Sequence, residues 1–309
     1  MSIFTFKLRN RFIRPYTTGF LPEQDGHCIF YQEVGNPKGE PVLVFHGGPG
    51  SQCYPFFACT FNLKKQRIIM FDQRGCGKSK FDDPLYKNTS QNTIDDALRL
   101  LKYLNISERI VCTGGSWGST LALLFAETYP QKVKKIIVNC IFLGRRKDIE
   151  NMTPIASYFY PDAVETVRDI ANGQDLDKYY SGLLASGVRS NQEKAVQYYK
   201  KLEKTACDGS LTVNFSKGEI SDKDILKFSI FMHYKCHNYF LKENQLLLDI
   251  KKIKNIPTEI YQNRLDFCCP PYQAFELYQS LSKAKFFLIP DRGHGSDMLF
   301  YEMYKNNLS

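Results

Sequence analysis

Short runs of consecutive apolar residues alternate along the chain with polar turns and helix-forming segments. Six runs of β-branched and large apolar residues predict strands, at 41–45, 67–71, 109–113, 135–139, 257–261 and 284–289. A strand that is apolar along its whole length is buried on both faces, as in a parallel sheet between two helical layers. The predicted fold class is therefore α/β, with a mostly parallel sheet.

Helix-forming sequence separates several of these strands. Residues 92–103 are predicted as a helix with Thr93 as a candidate N-cap, because a threonine oxygen can accept a hydrogen bond from an N–H of the first turn. Residues 116–129 are predicted as a second helix, which ends before Pro130 because proline cannot continue a helix.

The strand signature disappears between about residues 145 and 250, where Lys- and Tyr-rich helix-forming sequence takes over. We therefore predict an α/β core formed by residues 1–144 and 251–309, interrupted by a helical cap at 145–250. An insertion of this kind can cover a site at the carboxyl ends of the strands, where open α/β sheets bind ligands.

Composition and charge narrow the classes of function. The 41 Lys and Arg against 32 Asp and Glu give a net charge of +9 over 309 residues, but the basic residues are dispersed and match no nucleic-acid-binding motif. The sequence shows neither an apolar signal-peptide core near its start nor a run approaching the ~20 apolar residues that span a bilayer. Its ten cysteines include no Cys-x-x-Cys pair. We expect a soluble cytoplasmic protein with reduced thiols, no nucleic-acid partner and no membrane association; the sequence does not indicate an oligomeric state.

A serine lies in a glycine-rich turn between an apolar strand and an amphipathic helix. Residues 114–118, Gly-Gly-Ser-Trp-Gly, fit the pattern G-x-S-x-G. Glycine at its first and last positions lets the chain turn sharply without a clash involving Cβ, which pushes the Ser116 hydroxyl into the open. This context predicts a nucleophile elbow; the alternative is a plain turn in which Ser116 caps the helix.

A serine hydroxyl needs a base to remove its proton and a third group to orient that base. In α/β-hydrolases the acid and then the histidine follow the serine along the chain. Of the three histidines after Ser116, His294 lies in a loop just after the last predicted strand and is the predicted base. Asp266, in the loop after the preceding strand, is the predicted acid. Glu259 lies inside a strand and Asp291 is too near His294, so both rank lower.

Acyl transfer also needs N–H groups that stabilise the developing oxyanion. The N–H of Trp117, directly after the serine, is one expected donor. The other is expected from the loop His-Gly-Gly-Pro-Gly at 46–50, where Gly48 is chosen over Gly47 with little to separate them. A tight Gly-Pro turn without a catalytic role is the alternative for this loop.

Three longer motifs contain these residues: His-Gly-Gly-Pro-Gly at 46–50, Asp-Gln-Arg-Gly-Cys-Gly-Lys-Ser at 72–79 and Gly-Gly-Ser-Trp-Gly-Ser-Thr-Leu-Ala at 114–122. Together they resemble the motifs of the proline iminopeptidases, which are serine peptidases of the α/β-hydrolase fold. Further similarity spans most of the chain, at 141–143, 159–162, 256–258 and 289–294. The resemblance implies an α/β-hydrolase fold and an enzyme that releases an N-terminal proline from small peptides, without a metal or organic cofactor.

The resemblance also implies roles for individual residues. The catalytic residues Ser116, Asp266 and His294 match the family's triad, and Gly48 and Trp117 match its oxyanion donors. In the cap the family binds the free α-amino group of its substrate with glutamates, and Glu203 matches one of them. Two further residues are predicted to contact substrate: Phe142 as the wall of a proline-sized pocket, and Gly47.

The cap also departs from the family pattern. Lys235 stands where the family has a second glutamate, and a cation there would repel a protonated amine. Asn151, Met152 and Thr153 stand in place of an aromatic run, and Asn-Cys at 139–140 replaces Arg-Gly. These departures put the prolyl specificity in question.

Two other functions therefore stay open. The first is an esterase, amidase or lactonase that uses the same machinery on an acyl substrate without a free amine. The second is a binding protein on a hydrolase scaffold, which is disfavoured because no member of the predicted triad is missing. Epoxide hydrolases and dehalogenases of this fold need a carboxylate nucleophile, and Ser116 argues against them.

Overall fold

The computed structural model describes residues 13–150, 157–158, 160–208 and 219–308; side chains at 199–208, 291–292, 297 and 308 are outside this description. The strands are β1 (Thr17–Phe20), β2 (His27–Cys28), β3 (Phe30–Gly35), β4 (Glu40–Phe45), β5 (Gln66–Phe71), β6 (Lys80–Phe81), β7 (Ile110–Ser116), β8 (Val133–Ile141), β9 (Thr258–Leu265) and β10 (Ala284–Arg292). The helices are α1 (Ser90–Tyr103), α2 (Trp117–Thr128), α3 (Arg146–Glu150), α4 (Pro161–Ala171), α5 (Leu176–Ala185), α6 (Arg189–Asp208), α7 (Asp222–Cys236), α8 (Gln245–Leu248), α9 (Pro271–Ser280) and α10 (Asp297–Leu308). Short 3₁₀ helices lie at Pro55–Thr60, Pro130–Lys132, Asn238–Phe240 and Ile250–Lys252.

Eight of the strands form one sheet in the order β1-β3-β5-β4-β7-β8-β9-β10. The six strands from β5 to β10 along this order are parallel, and they are the six that the sequence predicts. β1 and β3 add an antiparallel edge, and β2 and β6 pair separately. The predicted mostly parallel sheet is confirmed.

The sheet is buried on both faces, as the continuous apolar runs predict. In β4, Leu43 and Phe45 belong to the hydrophobic cluster on one face, whereas Val42 and Val44 belong to the cluster on the other. Side chains alternate between faces along a strand, so a run without polar residues contributes to both layers. Helix α2 lies in the first layer and is buried along nearly its whole length, which anchors the turn that precedes it.

The strand order reverses beside β4. From β4 the chain crosses to β5 on one side, and from β5 it crosses back over to β7 on the other side. The carboxyl ends of β4 and β7 therefore lie next to each other where the two crossovers diverge, and crevices at such points are where open α/β sheets bind ligands.

Helices α4, α5, α6 and α7, which we call the cap helices, lie between β8 and β9 in the chain. They share a hydrophobic cluster of their own, which includes Val167, Tyr180, Val196 and Phe228. Toward its end α7 also packs on the sheet layer through Tyr234. In the described part of the chain, no helix combines the length and the apolar character that crossing a bilayer requires. The exact division into core and cap stays a prediction.

The start of α1 differs from the predicted one. The helix begins at Ser90 and its N-cap is Thr89, whose hydroxyl accepts a hydrogen bond from the N–H of Asn92 at 3.2 Å. The predicted cap, Thr93, is inside the first turn and donates to the carbonyl of Thr89 at 3.1 Å. The prediction was wrong because the longer helix buries Ser90, whose hydroxyl donates to the carbonyl of Tyr239, a contact that the local sequence does not reveal.

Candidate active site

Ser116 occupies the sharp turn between β7 and α2. Its backbone has φ 57° and ψ −130°, a conformation that is strained for a residue with a Cβ. Glycine is required on both sides: a Cβ on Gly114 would lie 2.1 Å from the carbonyl oxygen of Gly118, and one on Gly118 would lie 2.2 Å from that of Phe45. Within the described residues, the Ser116 hydroxyl caps no N–H of α2, contrary to the plain-turn alternative. The turn has the form of a nucleophile elbow.

Asp266 and His294 are joined by a hydrogen bond. Asp266 follows β9 and His294 follows β10, so these neighbouring parallel strands bring the two loops together. Nδ1 of His294 lies 2.8 Å from Oδ2 of Asp266. The carboxylate is buried, and its other oxygen accepts the N–H of Cys269 at 2.7 Å. Asp266 is therefore held in position to orient the imidazole.

The environment of His294 favours its charged form. Burial lowers the pKa of the imidazole, but the Asp266 carboxylate and its hydrogen bond have the opposite effect, and the net pKa lies well above the usual value. A ring with a raised pKa is a stronger base, and the neighbouring carboxylate stabilises the imidazolium that forms when it takes a proton.

A cavity of about 360 Å³ joins the serine to this pair. Ser116 and His294 both line it, and its size suits a small organic ligand. Among the described residues, the hydroxyl of Ser116 makes no hydrogen bond with His294. Contacts between a nucleophile and its base are commonly long before substrate binds and shorten in the reacting complex.

The loop after β4 lies against the serine turn. A Cβ on Gly47 would lie 3.2 Å from the carbonyl oxygen of Gly115 and 3.5 Å from Cβ of Ser116. Gly48 has φ +120°, which an L side chain rarely adopts, and it precedes a cis peptide bond to Pro49. Both glycines and Trp117 line the cavity beside Ser116, as donors to an oxyanion would have to.

The side chain of Gln73 connects the loop after β4 to the serine turn, and the sequence alone indicates no role for this residue. The side chain of Gln73 donates to the carbonyl of His46 at 2.9 Å and accepts from Nε1 of Trp117 at 3.1 Å. Its backbone N–H donates to Nε2 of His46 at 3.1 Å, and burial lowers the pKa of His46, which keeps that ring neutral. Gln73 lies in the motif at 72–79, which was the available signal.

Aromatic side chains form one wall of the cavity. The ring of Phe142 packs edge-on against Tyr239 at 4.8 Å between centroids, and Trp117 packs on Tyr239 at 5.4 Å. Phe142 lines the cavity, and its contact with substrate stays a prediction. Tyr239 was missed; it lies in a 3₁₀ segment whose three residues all have positive φ, a conformation that the sequence does not signal.

The structure describes the side chains of some, but not all, of the cap residues that the sequence predicts to matter for specificity. Lys235 lines the cavity, but its ammonium forms an ion pair with Asp177, which also lines the cavity. The sequence predicts that a cation at this position would repel a protonated amine, and that effect stays a prediction. Asp177, which offsets the charge of Lys235, lies in a different helix 58 positions away. Glu203 lies in α6 with its side chain outside the described residues, and residues 151–153 (Asn-Met-Thr) are outside them altogether. Asp177 was missed, since nothing in its local sequence distinguishes it.

Known proteins resemble this chain in sequence and in fold. The sequence profile of the α/β-hydrolase fold matches residues 40–298. The "probable proline iminopeptidase" of Leptolyngbya boryana is 36% identical over 295 residues, which cover 91% of this chain and 89% of that protein. The proline iminopeptidase of Arabidopsis thaliana is 36% identical over 293 residues, which cover 92% of this chain and 77% of that protein. The crystal structure of a proline iminopeptidase-related protein from Thermus thermophilus matches with a TM-score of 0.61 and 21% identity, covering 96% of this chain and 97% of that one; this likeness concerns the fold alone.

Proposed function

Because this chain belongs to the proline iminopeptidase family of α/β-hydrolases, we propose that it is a serine peptidase that releases the N-terminal residue, preferably proline, from small peptides. The observation that carries the proposal is the 2.8 Å contact between His294 and the buried Asp266, beside a cavity that Ser116 also lines. A buried carboxylate, an imidazole and a hydroxyl on the strained turn that lines the cavity are the parts that acyl transfer requires.

The proposed reaction proceeds through an acyl-enzyme. His294 removes the proton of Ser116 as the serine oxygen attacks the carbonyl carbon of the first residue. The imidazolium then gives this proton to the leaving amine as the peptide bond breaks. Water repeats the attack with His294 as base, which releases the amino acid and restores the hydroxyl. Asp266 stays ionised throughout and holds the ring.

The N–H of Trp117 and the N–H of Gly48 are the proposed oxyanion donors, with Gly47 as the alternative to Gly48. Gly47 adjoins the serine turn, and both glycines line the cavity that Ser116 also lines, where a substrate carbonyl would lie. Loss of one such donor typically costs about 3–4 kcal/mol of transition-state stabilisation, so this loop would contribute strongly to the rate.

The cavity walls support a small substrate with a charged amine. Phe142 and Tyr239 offer an apolar surface for a pyrrolidine ring. Glu203 is the carboxylate predicted to bind the α-amino group, and Asp177 places another carboxylate on the wall. Because Asp177 already pairs with Lys235, the net charge of that pair is zero, and Lys235 alone would not exclude a cationic substrate.

A paired assay tests the peptidase proposal. Prolyl-naphthylamide and its des-amino analogue have the same scissile bond and differ only in the amine. We expect cleavage of the first at a much higher kcat/KM, and loss of that cleavage in Ser116→Ala. If the folded enzyme ignores both amides but cleaves simple acyl esters in a Ser116-dependent way, the peptidase proposal fails.

The second candidate is an esterase, amidase or lactonase. Its support is that Lys235 stands where the family has a glutamate, so the Lys235–Asp177 pair offers no net negative charge to a free amine at that part of the wall. The same assay separates the two, because equal rates on both amides would mean that the free amine is not read. A cytoplasmic location, expected from the sequence, stays a prediction that cell fractionation tests.

A further inference from the structure

Three cysteine side chains surround His294. The sulfurs of Cys268 and Cys269 and a ring nitrogen of His294 all lie within 4.8 Å of one another. The sulfur of Cys140, an oxygen of Asp266 and a nitrogen of His294 form a second group within the same limit. Cys140, Cys268 and Cys269 carry thiols, not disulfide sulfurs. The proposed hydrolytic mechanism uses none of these thiols. The clustering of three thiols around one imidazole therefore needs a separate explanation.

The bend after Asp266 creates the first group. Side chains of consecutive residues in an extended chain point to opposite sides. At 267–269 the backbone bends, and both Cys268 and Cys269 bring their sulfurs toward the same ring. All three side chains of the group also line the cavity, which gives a dissolved cation an access route.

The donor set selects a particular class of ligand. Two thiolates and one imidazole are the ligands of soft and borderline cations such as Zn²⁺, whereas Mg²⁺ and Ca²⁺ prefer oxygen. Zinc bonds of about 2.3 Å to sulfur and about 2.0 Å to nitrogen place tetrahedral ligands about 3.5–3.8 Å apart. The two sulfurs and the ring nitrogen lie at most 4.8 Å from one another, so side-chain movements of about 1 Å or less would bring them to that geometry. Cys268 is half-buried at the cavity wall, which leaves its side chain room to move.

We propose that Cys268, Cys269 and His294 form a binding site for a thiophilic divalent cation of the zinc type, with the fourth coordination position open to the cavity. Binding forms two metal–sulfur bonds and one metal–nitrogen bond. It releases to solvent the two thiol protons and, where the ring is charged, the proton on the coordinating nitrogen of His294, without electron transfer. The ring nitrogen that binds the cation uses its lone pair in that bond and cannot accept a proton from Ser116. A bound cation therefore inhibits hydrolysis. Inhibition rests on the proposed function of His294, whereas cation binding does not.

The binding test uses Cd²⁺, because cadmium–thiolate bonds absorb in the ultraviolet and report coordination without any turnover. When Cd²⁺ is added to the reduced, metal-free enzyme, this absorption should rise until one Cd²⁺ is bound per protein molecule. Cys268→Ser should weaken binding at least about tenfold, since serine is a poor ligand for a soft cation. Cys28→Ser is the matched control: Cys28 is also half-buried, lies in β2 and lines no part of the cavity. His294→Ala should also weaken binding, even though it is expected to be inactive.

The activity test follows hydrolysis of the best substrate found, amide or ester, in zinc-buffered solutions. We expect zinc to inhibit the unsubstituted enzyme and Cys28→Ser equally, a chelator to restore their rates, and Cys268→Ser to need at least about tenfold more free zinc. Because Cys269 is buried and its serine variant could fail to fold, Cys268→Ser decides the result. The proposal is overturned if the folded enzyme gives no cadmium–thiolate absorption, or if Cys268→Ser and Cys28→Ser respond alike. A protein that binds Cd²⁺ at these thiols but hydrolyses nothing would instead contradict the proposed function.

Discussion

Glu127 is a buried carboxyl group that has no hydrogen-bond partner in the part of the chain that the structure describes. It lies on α2, is 3% exposed, and within the described residues neither of its oxygens has a hydrogen-bond partner. Burial raises its pKa to about 9; Asp249 adds to this effect and Lys252 opposes it. Lys252 is itself paired with Asp249 at 2.8 Å, which limits its help. The side chain is therefore protonated in the folded protein at neutral pH.

This proton makes folding stability depend on pH. Between the ordinary value of 4.5 and about 9, the folded state keeps a proton that the unfolded state releases. Stability is therefore highest below the unfolded pKa and falls by about 1.4 kcal/mol for each pH unit in this window. At pH 7 the loss amounts to about 3 kcal/mol. Glutamine keeps the shape and has no proton to lose, although its additional unpaired N–H costs about 1 kcal/mol.

We therefore expect Glu127→Gln to be more stable than the unsubstituted protein by about 2 kcal/mol at pH 7, and by more at pH 8.5. Near pH 5 the gain should vanish. Urea unfolding at these three pH values measures it, with fluorescence of the single, buried Trp117 as the signal. Glu108→Gln, at an exposed position, is the control and should change little. Equal stability of Glu127→Gln and the unsubstituted protein at all three pH values would refute the reasoning.

Three further changes test the site. The rate constant kcat/KM should rise with pH as His294 loses its proton, with a midpoint above 6.5 because the pKa of His294 is raised. Asp266→Asn should lower this midpoint and reduce kcat by about 10⁴-fold. A midpoint that does not move in Asp266→Asn would contradict the pairing of Asp266 with His294. Gln73→Leu should cost about 1–3 kcal/mol in urea unfolding and lower kcat, because it leaves buried polar groups of two loops unpaired; a fully active, equally stable variant would exclude the locking role. Gly50→Ala should raise KM and expose the cap helices to protease, since a Cβ there would lie 2.3 Å from the carbonyl of Lys227 in α7; unchanged KM and proteolysis would count against that contact.

The parallel strands were predictable because each is apolar along its length. The antiparallel edge was not, since β3 carries Gln32 and Glu33 within its buried span. Glu33 is tolerated there because it pairs with Arg67 from β5 and accepts a hydrogen bond from Tyr16 at 3.0 Å. Polar residues that break an apolar run hide a strand from sequence analysis when their partners come from other elements.

The same division applies to the candidate site. The approach of Asp266 to His294 follows from the order of two neighbouring strands and their loops, and the structure brings these residues together. The partner of Lys235 could not be predicted, because Asp177 reaches it from another helix. Tyr239 depends on an unusual backbone turn in the same way. Local patterns thus predict the catalytic loops, whereas the walls that govern specificity depend on long-range packing.

The central claim is that Ser116 is a nucleophile activated by His294 and Asp266. The most direct measurement is reaction of the folded protein with a fluorophosphonate, followed by peptide mass mapping. We expect one equivalent of label on the peptide that contains Ser116, and almost none in a His294→Ala variant with an unchanged circular dichroism spectrum. A folded, unsubstituted protein that stays unlabelled, or that carries the label on another serine, would contradict the account.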